Sequence, residues 1–239
     1  MMKKAVSALI IAAICCVMLM LGASAVEFSD IDGHWAEDTI NEWKDNGVIS
    51  GYPDGSFRPD TPVSRGELAK ILTLAFDLQE TSLFEYNDVN DSQWYYPYLT
   101  YSAQYIPVYA LPSGFDNNMP YIENPDGMGF LPECKAMRMH VAEALVLLKI
   151  EKDALGIALP ELDVVWVEVC EAFGDFDYHN IWTPHPEPGT MPEGYLRMFN
   201  YTWLAKELEL MQGNAEGYFL PYDWITRAEL LTIIDRASN

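Results

Sequence analysis

Three arginines stand at places where a helix would begin and where an anion could be held. Arg65, Arg138 and Arg227 each follow by eight residues the phenylalanine of a Phe-x-Pro string: Phe57-Arg58-Pro59, Phe130-Leu131-Pro132 and Phe219-Leu220-Pro221. Apolar residues precede each arginine by two positions (Val63, Ala136, Ile225) and follow it at +3 and +7 (Leu68 and Leu72, Val141 and Leu145, Leu230 and Ile234). That spacing lays one apolar stripe along one helix face. Ser64-Arg65-Gly66-Glu67 and Thr226-Arg227-Ala228-Glu229 both fit a capping box. In it the hydroxyl accepts the amide of the third helical residue and the glutamate reaches back to the cap amide. Ser64, Glu67, Thr226 and Glu229 therefore have a structural reason to be present. Each arginine then takes the first helical position, where a cation opposes the helix dipole at a cost of a few tenths to about 1 kcal/mol. A residue set against its local preference implies a compensating partner. Two partners fit equally well: an anion held beside the free amides of the helix start, or one of the 36 acidic residues of the chain in an internal salt bridge. Met137-Arg138-Met139-His140 keeps the arginine but loses both halves of the box. It predicts a less securely capped helix and an altered site.

The elements that position these arginines repeat as well. Phe28-Ser29-Asp30-Ile31, Tyr86-Asn87-Asp88-Val89 and Phe173-Gly174-Asp175-Phe176 share an aromatic, a small or polar residue, an aspartate and an apolar residue. Trp35, Trp94 and Trp182 follow five, six and seven residues after the aspartates. A first helix is expected next, over about 36–47 in the first unit and about 194–213 in the third, with Gly47 and Gly213 as left-handed stops. In the second unit Pro97 and Pro107 bracket any helix closely. Each unit thus reads as entry loop, helix, glycine-containing loop and second helix, a mainly α organisation. The segments are 26–80, 84–150 and 173–239, with a connector at 151–172 whose Val164-Val165-Trp166-Val167 is ambiguous between strand and helix. Extra residues at 105–125 and 183–193 are rich in Pro, Gly and Asn and read as surface loops. Trp43 and Trp203 are assigned to core packing, whereas Trp35 and Trp94 are given a shared role in packing and binding.

Composition narrows the function. Of 239 residues 50% are hydrophobic, enough for a packed core, and the net charge is −22. That charge excludes a nucleic-acid binder working by phosphate neutralisation and argues against docking on an anionic membrane. Met1-Met2-Lys3-Lys4, an apolar run over 8–22 and Ala23-Ser24-Ala25 form the three parts of a secretory signal peptide, so residues 1–25 are expected to be removed on export. The run is short for a span of roughly 20 residues, and no later segment is apolar enough to be one. Cys134 and Cys170 would remain; spacing alone does not say whether they pair.

At this point a resemblance becomes specific. His34-Trp35-Ala36, Gly47-Val48-Ile49-Ser50-Gly51-Tyr52, Asp54-Gly55-Ser56-Phe57-Arg58-Pro59 and the Arg-x-Glu block, with Asp30 before them, make the first unit resemble an S-layer homology (SLH) domain along its whole length. The second unit resembles the family through 86–98 and 130–148, the third mainly through 219–231. The resemblance implies three units packed about a pseudo-threefold axis, with grooves between neighbours. It also implies non-covalent binding of a secondary cell-wall polysaccharide, often one bearing pyruvate ketals, which anchors an exported protein at the bacterial cell surface. Groove positions carried over are Asp30, Trp35 and Arg65, then Asp88, Trp94 and Arg138, then Asp175 and Arg227; Trp182 matches less well because its loop is rebuilt. Gly55 is added as a residue whose missing side chain lets a ligand approach backbone. An Arg fork suits a carboxylate and an indole face suits the apolar side of a sugar. Other surface or S-layer proteins are further partners to expect.

Other chemistry is weaker. Asp30-Ile31-Asp32-Gly33 and Asp88-Val89-Asn90-Asp91 lack the remaining oxygens of a calcium loop. The histidines at 34, 140, 179 and 185 have no zinc spacing. No metal or cofactor is expected. With 36 acidic residues a pair suited to glycoside hydrolysis is conceivable, so a wall hydrolase using the insertions stands as the alternative to a non-enzymatic binding module.

Overall fold

The computed structural model describes residues 27–79, 86–107, 129–153, 169, 171–174 and 193–238. The expected signal peptide, most of the connector and of both insertions, and Asp175, Trp182, Cys170, His179 and His185 lie outside these residues. Among the described residues there are six helices and no strand: α1 (Glu37–Asp45), α2 (Arg65–Ala75), α3 (Tyr96–Ser102), α4 (Arg138–Lys152), α5 (Glu193–Glu207) and α6 (Arg227–Ser238). The chain is mainly α, as the periodicity indicates. No helix among the described residues is long and apolar enough to cross a membrane.

The helix starts follow the local chemistry. In α2 the Ser64 hydroxyl accepts the Glu67 amide and the Glu67 carboxylate accepts the Ser64 amide, a complete capping box. Thr226 and Glu229 make the same reciprocal pair at α6. At α4 the expectation of a lost box is corrected, because His140 Nδ1 accepts the Met137 amide at 3.2 Å in place of the glutamate. An imidazole nitrogen is an acceptor when neutral, a possibility that matching to the S/T-x-x-E pattern passes over.

The helix stops follow it in part. Gly47 takes the left-handed conformation (φ 75) just past α1. At α5 the expected stop at Gly213 is corrected: the helix ends at Glu207, and Glu209 (φ 56) is the left-handed residue. Gly213 serves another purpose, since a Cβ there would lie 3.0 Å from the Phe173 ring. Gly51 is alike, with the Phe28 ring 2.5 Å from its would-be Cβ.

The helices pass from one segment to the next. The first helix of each segment packs on the second helix of the segment before it: α3 on α2, α5 on α4, and α1 on α6, which closes a ring. Main-chain hydrogen bonds draw the same ring at its centre. Val63 donates to Ile225, Ala136 to Val63, and Ile225 to Ala136, at 2.8–3.1 Å. Around them sit the fully buried Phe57, Phe130 and Phe219, each against a second aromatic ring (Phe28, Tyr86, Phe173) at 5.2–5.4 Å between centroids. Burial of each contributes roughly 1.5–3 kcal/mol. Trp43 is in the core and Trp203 packs against it, as assigned.

Candidate ligand-binding clefts

The ring determines where the arginines go. Each reaches into the neighbouring segment, and its Nε donates to the carbonyl of that segment's buried phenylalanine: Arg65 to Phe130 (2.8 Å), Arg138 to Phe219 (2.8 Å) and Arg227 to Phe57 (2.9 Å). Each guanidinium lies over the ring of the same phenylalanine, with Cζ 4.8, 5.3 and 4.4 Å from the centroid. A cation over an aromatic face is attracted to it by the ring quadrupole. The three positions share an architecture and differ in what completes it.

Arg227 is 5% exposed. It donates through Nη1 to Glu67 at 2.8 Å and through Nη2 to the Ser50 carbonyl at 3.3 Å. Burial pushes the Glu67 carboxyl up, but the Ser64 amide, the Arg227 charge and the Ser64 and Tyr52 hydroxyls outweigh it and hold the group below its usual value. Here the internal salt bridge is what is found.

Arg65 is 2% exposed. Its Nη2 donates to the Pro107 carbonyl at 2.9 Å and its Nη1 faces His140 Nδ1 at 3.3 Å. Both that Nη1 and the Met137 amide need a lone pair on Nδ1, so the His140 proton belongs on Nε2. Burial, then the Arg65 charge, holds His140 well below its usual value. Burial brings the Arg65 guanidinium down to about 10. Further along α4, Glu143 is buried and ion-paired with Arg197 of α5.

Arg138 is half-buried and, besides the Phe219 carbonyl, donates through Nη2 to the Gln212 carbonyl at 3.3 Å. It lines a cleft of about 290 Å³ together with Trp35, Tyr218, Trp224, Glu229 and Arg236. A second cleft, about 190 Å³, is lined by Tyr52, Glu67, Lys70, Trp94 and Arg227. The two are built from equivalent positions: a loop and second helix from one segment, a tryptophan from the next and the arginine from the third. Trp35 is 63% exposed and Trp94 50%.

The aspartates of the opening motif work elsewhere. Asp30 accepts the amides of Phe57 and Arg58, both at 2.7 Å, and Asp88 those of Phe130 and Leu131 at 2.8 and 2.6 Å. Arg58, Leu131 and Leu220 are all left-handed (φ 58–60), a conformation that costs non-glycine residues of order 1 kcal/mol. A carboxylate receiving two successive amides offsets that cost. Gly55 (φ 84) makes a turn with no neighbour within 4 Å of its would-be Cβ, and it is Gly51 that lines a cleft. Of the sequence-selected groove residues, Trp35 and Arg138 come together in one cleft, and Trp94 and Arg227 in the other. Arg65, Asp30, Asp88 and Gly55 line neither, and Asp175 lies outside the described residues. Trp224, Tyr218, Arg236 and Lys70 stand at positions the repeat does not share, and Tyr52 enters only within the Gly47–Tyr52 string of the resemblance, so none is a groove residue from sequence.

Among the described residues no group of His, Cys, Asp and Glu is arranged to hold a metal ion. Cys134 is a free thiol.

Comparison with known proteins finds one family model and several relatives that match part of the chain. Residues 27–69 match the family model of the S-layer homology domain. Cell surface glycoprotein 1 of Acetivibrio thermocellus is 38% identical over 72 residues, covering 28% of this chain and 3% of that protein. The cellulosome-anchoring protein of the same organism is 32% identical over 72 residues, 29% of this chain and 16% of that one. Endo-1,4-beta-xylanase A of Thermoanaerobacterium saccharolyticum is 35% identical over 71 residues, 29% of this chain and 6% of the enzyme. The chain therefore spans between 3% and 16% of the length of these relatives. Motif resemblance and family model agree on residues 27–69 as an S-layer homology domain match, one that contains Asp30, Trp35, Gly55 and Arg65.

Proposed function

We propose that this protein is a non-enzymatic binding module that holds an exported chain at a bacterial cell surface by gripping an anionic secondary cell-wall polysaccharide. The segments 26–80, 84–150 and 173–239 act as three SLH-like units about a pseudo-threefold axis. The closed ring of helix contacts and of Val63, Ala136 and Ile225 hydrogen bonds supports that arrangement. The similarity to a cell-surface glycoprotein and a cellulosome-anchoring protein supports the location.

The observation that carries the reading is the Arg138 cleft, where a half-buried guanidinium and a largely exposed indole line one cavity. A sugar ring rests on Trp35, and its acidic substituent, such as a pyruvate ketal, meets Arg138. The net charge of −22 repels an anionic polymer at long range, but screening confines that repulsion to roughly 8 Å at physiological salt. Close contacts then decide binding, and moderate salt leaves it intact. Arg227, committed to Glu67, contributes less, and Arg65 serves the fold. The units also leave surface for other wall or S-layer proteins. The xylanase relative is an enzyme of which the matched stretch is 6%, in keeping with a module appended to catalysis elsewhere.

The test is co-sedimentation of the purified protein with wall sacculi and with the isolated wall polysaccharide, before and after Trp35→Ala plus Arg138→Ala. Loss of binding in a folded double variant supports the reading. Unchanged binding overturns the site, and cleavage of the polymer overturns the non-enzymatic assignment.

A further inference from the structure

The Arg138 cleft holds two residues that the repeat does not account for. Trp224 stands three positions before its arginine, where the other segments have Pro62 and Lys135. Arg236 stands nine positions after it, where they have Leu74 and Leu147. Neither is needed by the framework. The backbone of Trp224 makes the bridge to Met137, but Pro62 and Lys135 make the equivalent bridges with quite different side chains. The Trp224 side chain is left 49% exposed. Arg236 is exposed in the last turn of α6, where a cation suits the helix dipole. It forms no ion pair among the described residues.

Exposed aromatic surface is concentrated here. Five large hydrophobic side chains are exposed among the described residues, and three of them, Trp35, Tyr218 and Trp224, line this one cavity. Leaving an indole in water forgoes the gain from burying it, and gathering such faces on one concave surface marks a binding site more than a packing accident. The cavity is also larger than its counterpart, about 290 against 190 Å³. The counterpart is lined by neither Pro62 nor Leu74, the residues equivalent to Trp224 and Arg236.

We propose that Trp224 and Arg236 form a second saccharide subsite beside the Trp35–Arg138 pair, so that this cleft takes two consecutive sugar rings, each with a carboxylate. One ring lies on Trp35 with its acid at Arg138. The next lies on Trp224 with its acid at Arg236. The subsite makes the cleft selective for acidic disaccharide and longer segments over single acidic sugars. The inference rests on the polysaccharide-binding reading and adds to it the length and charge pattern of the ligand.

The experiment titrates the full protein calorimetrically with a methyl hexoside bearing a pyruvate ketal, with the disaccharide bearing a ketal on each ring, and with their ketal-free counterparts. The disaccharide should bind about tenfold or more tighter than the monosaccharide, the sum of one stacking and one charge-assisted contact. Trp224→Lys and Arg236→Leu, which install residues found at the repeat-equivalent positions, should each erase most of that difference and leave monosaccharide affinity unchanged. Trp35→Ala should weaken both ligands. If Trp224→Lys and Arg236→Leu keep the disaccharide advantage while Trp35→Ala removes binding, the second subsite is overturned and the polysaccharide reading stands. If no variant changes binding, or no acidic fragment binds, the polysaccharide reading falls with it. A thermal melt of each variant confirms that it is folded.

Discussion

At the Arg227 cleft the guanidinium facing the groove is already neutralised: Glu67 lies 2.8 Å from it, and the Tyr52 hydroxyl donates to the same carboxylate oxygen at 3.1 Å. At the Arg138 cleft the same backbone geometry leaves the guanidinium half-exposed beside a second one, Arg236. The two clefts are thus copies in scaffold that differ in how far the arginine is exposed. Around Arg65 a third outcome is reached, in which His140 takes the glutamate's place and the guanidinium is buried. Repetition supplies the framework, and one or two side chains per copy decide whether it is sealed or left open.

The largest expected effect separates sealed from open positions by stability. Arg65→Ala removes a buried donor set and strands the Phe130 and Pro107 carbonyls. It should cost about 3–5 kcal/mol in urea unfolding, whereas Arg138→Ala should cost about 1–2 kcal/mol. Equal losses would break the distinction. Binding should reverse the order. Arg138→Ala is expected to weaken polysaccharide binding by about ten- to a hundredfold, the worth of a charge-assisted contact, while Arg227→Lys, which keeps a cation for Glu67, changes it little; equilibrium binding assays on folded variants check this.

Acidification tests the Arg65 position next. His140 is held neutral in the fold, with a value well below the 6.5 of a free imidazole. Below about pH 6.5 the unfolded chain takes up a proton that the folded chain refuses, so stability falls as pH drops from there toward the folded value. The slope approaches about 1.4 kcal/mol per pH unit. His140→Gln should flatten the thermal-melt profile between pH 6.5 and 5.5. A carboxylate with a lowered value, Glu67, adds its own loss only as pH falls below the 4.5 of a free glutamic acid. The smallest effect concerns the indoles: Trp35→Ala should reduce binding more than Trp94→Ala, by about 1 kcal/mol or less. The same binding assay would show the reverse order if the Arg227 cleft were the principal one.

Much of the scaffold is legible in the sequence because it is local. The Ser64–Glu67 and Thr226–Glu229 boxes place the starts of α2 and α6 to the residue, and the apolar stripes after the arginines give the buried face of each. The clefts are legible only in outline. Trp35 and Arg138 are 103 positions apart and carry no mark that they would meet, since the pairing depends on how α1 closes on α6. The groove role of the arginines comes from the family resemblance, while the cation at a helix start calls only for a partner, either a bound anion or an internal acid. All three also donate to a main-chain carbonyl of the next segment, which no side-chain pattern announces, and Arg227 adds the internal salt bridge to Glu67. Trp224 and Arg236 escaped notice for the opposite reason. They break the repeat, and a reading that aligns copies attends to what recurs.

The seam where α1 meets α6 has a bearing on how the molecule comes into being. Arg227 donates to Phe57 across 170 positions of chain, and Val63 finds its acceptor only in Ile225. Contacts between such distant residues are assembled late, since the intervening polymer must first surrender its freedom. A portion that stops short of α6 has no partner for the open edge of the first segment, so that edge stays unlocked until α6 is delivered.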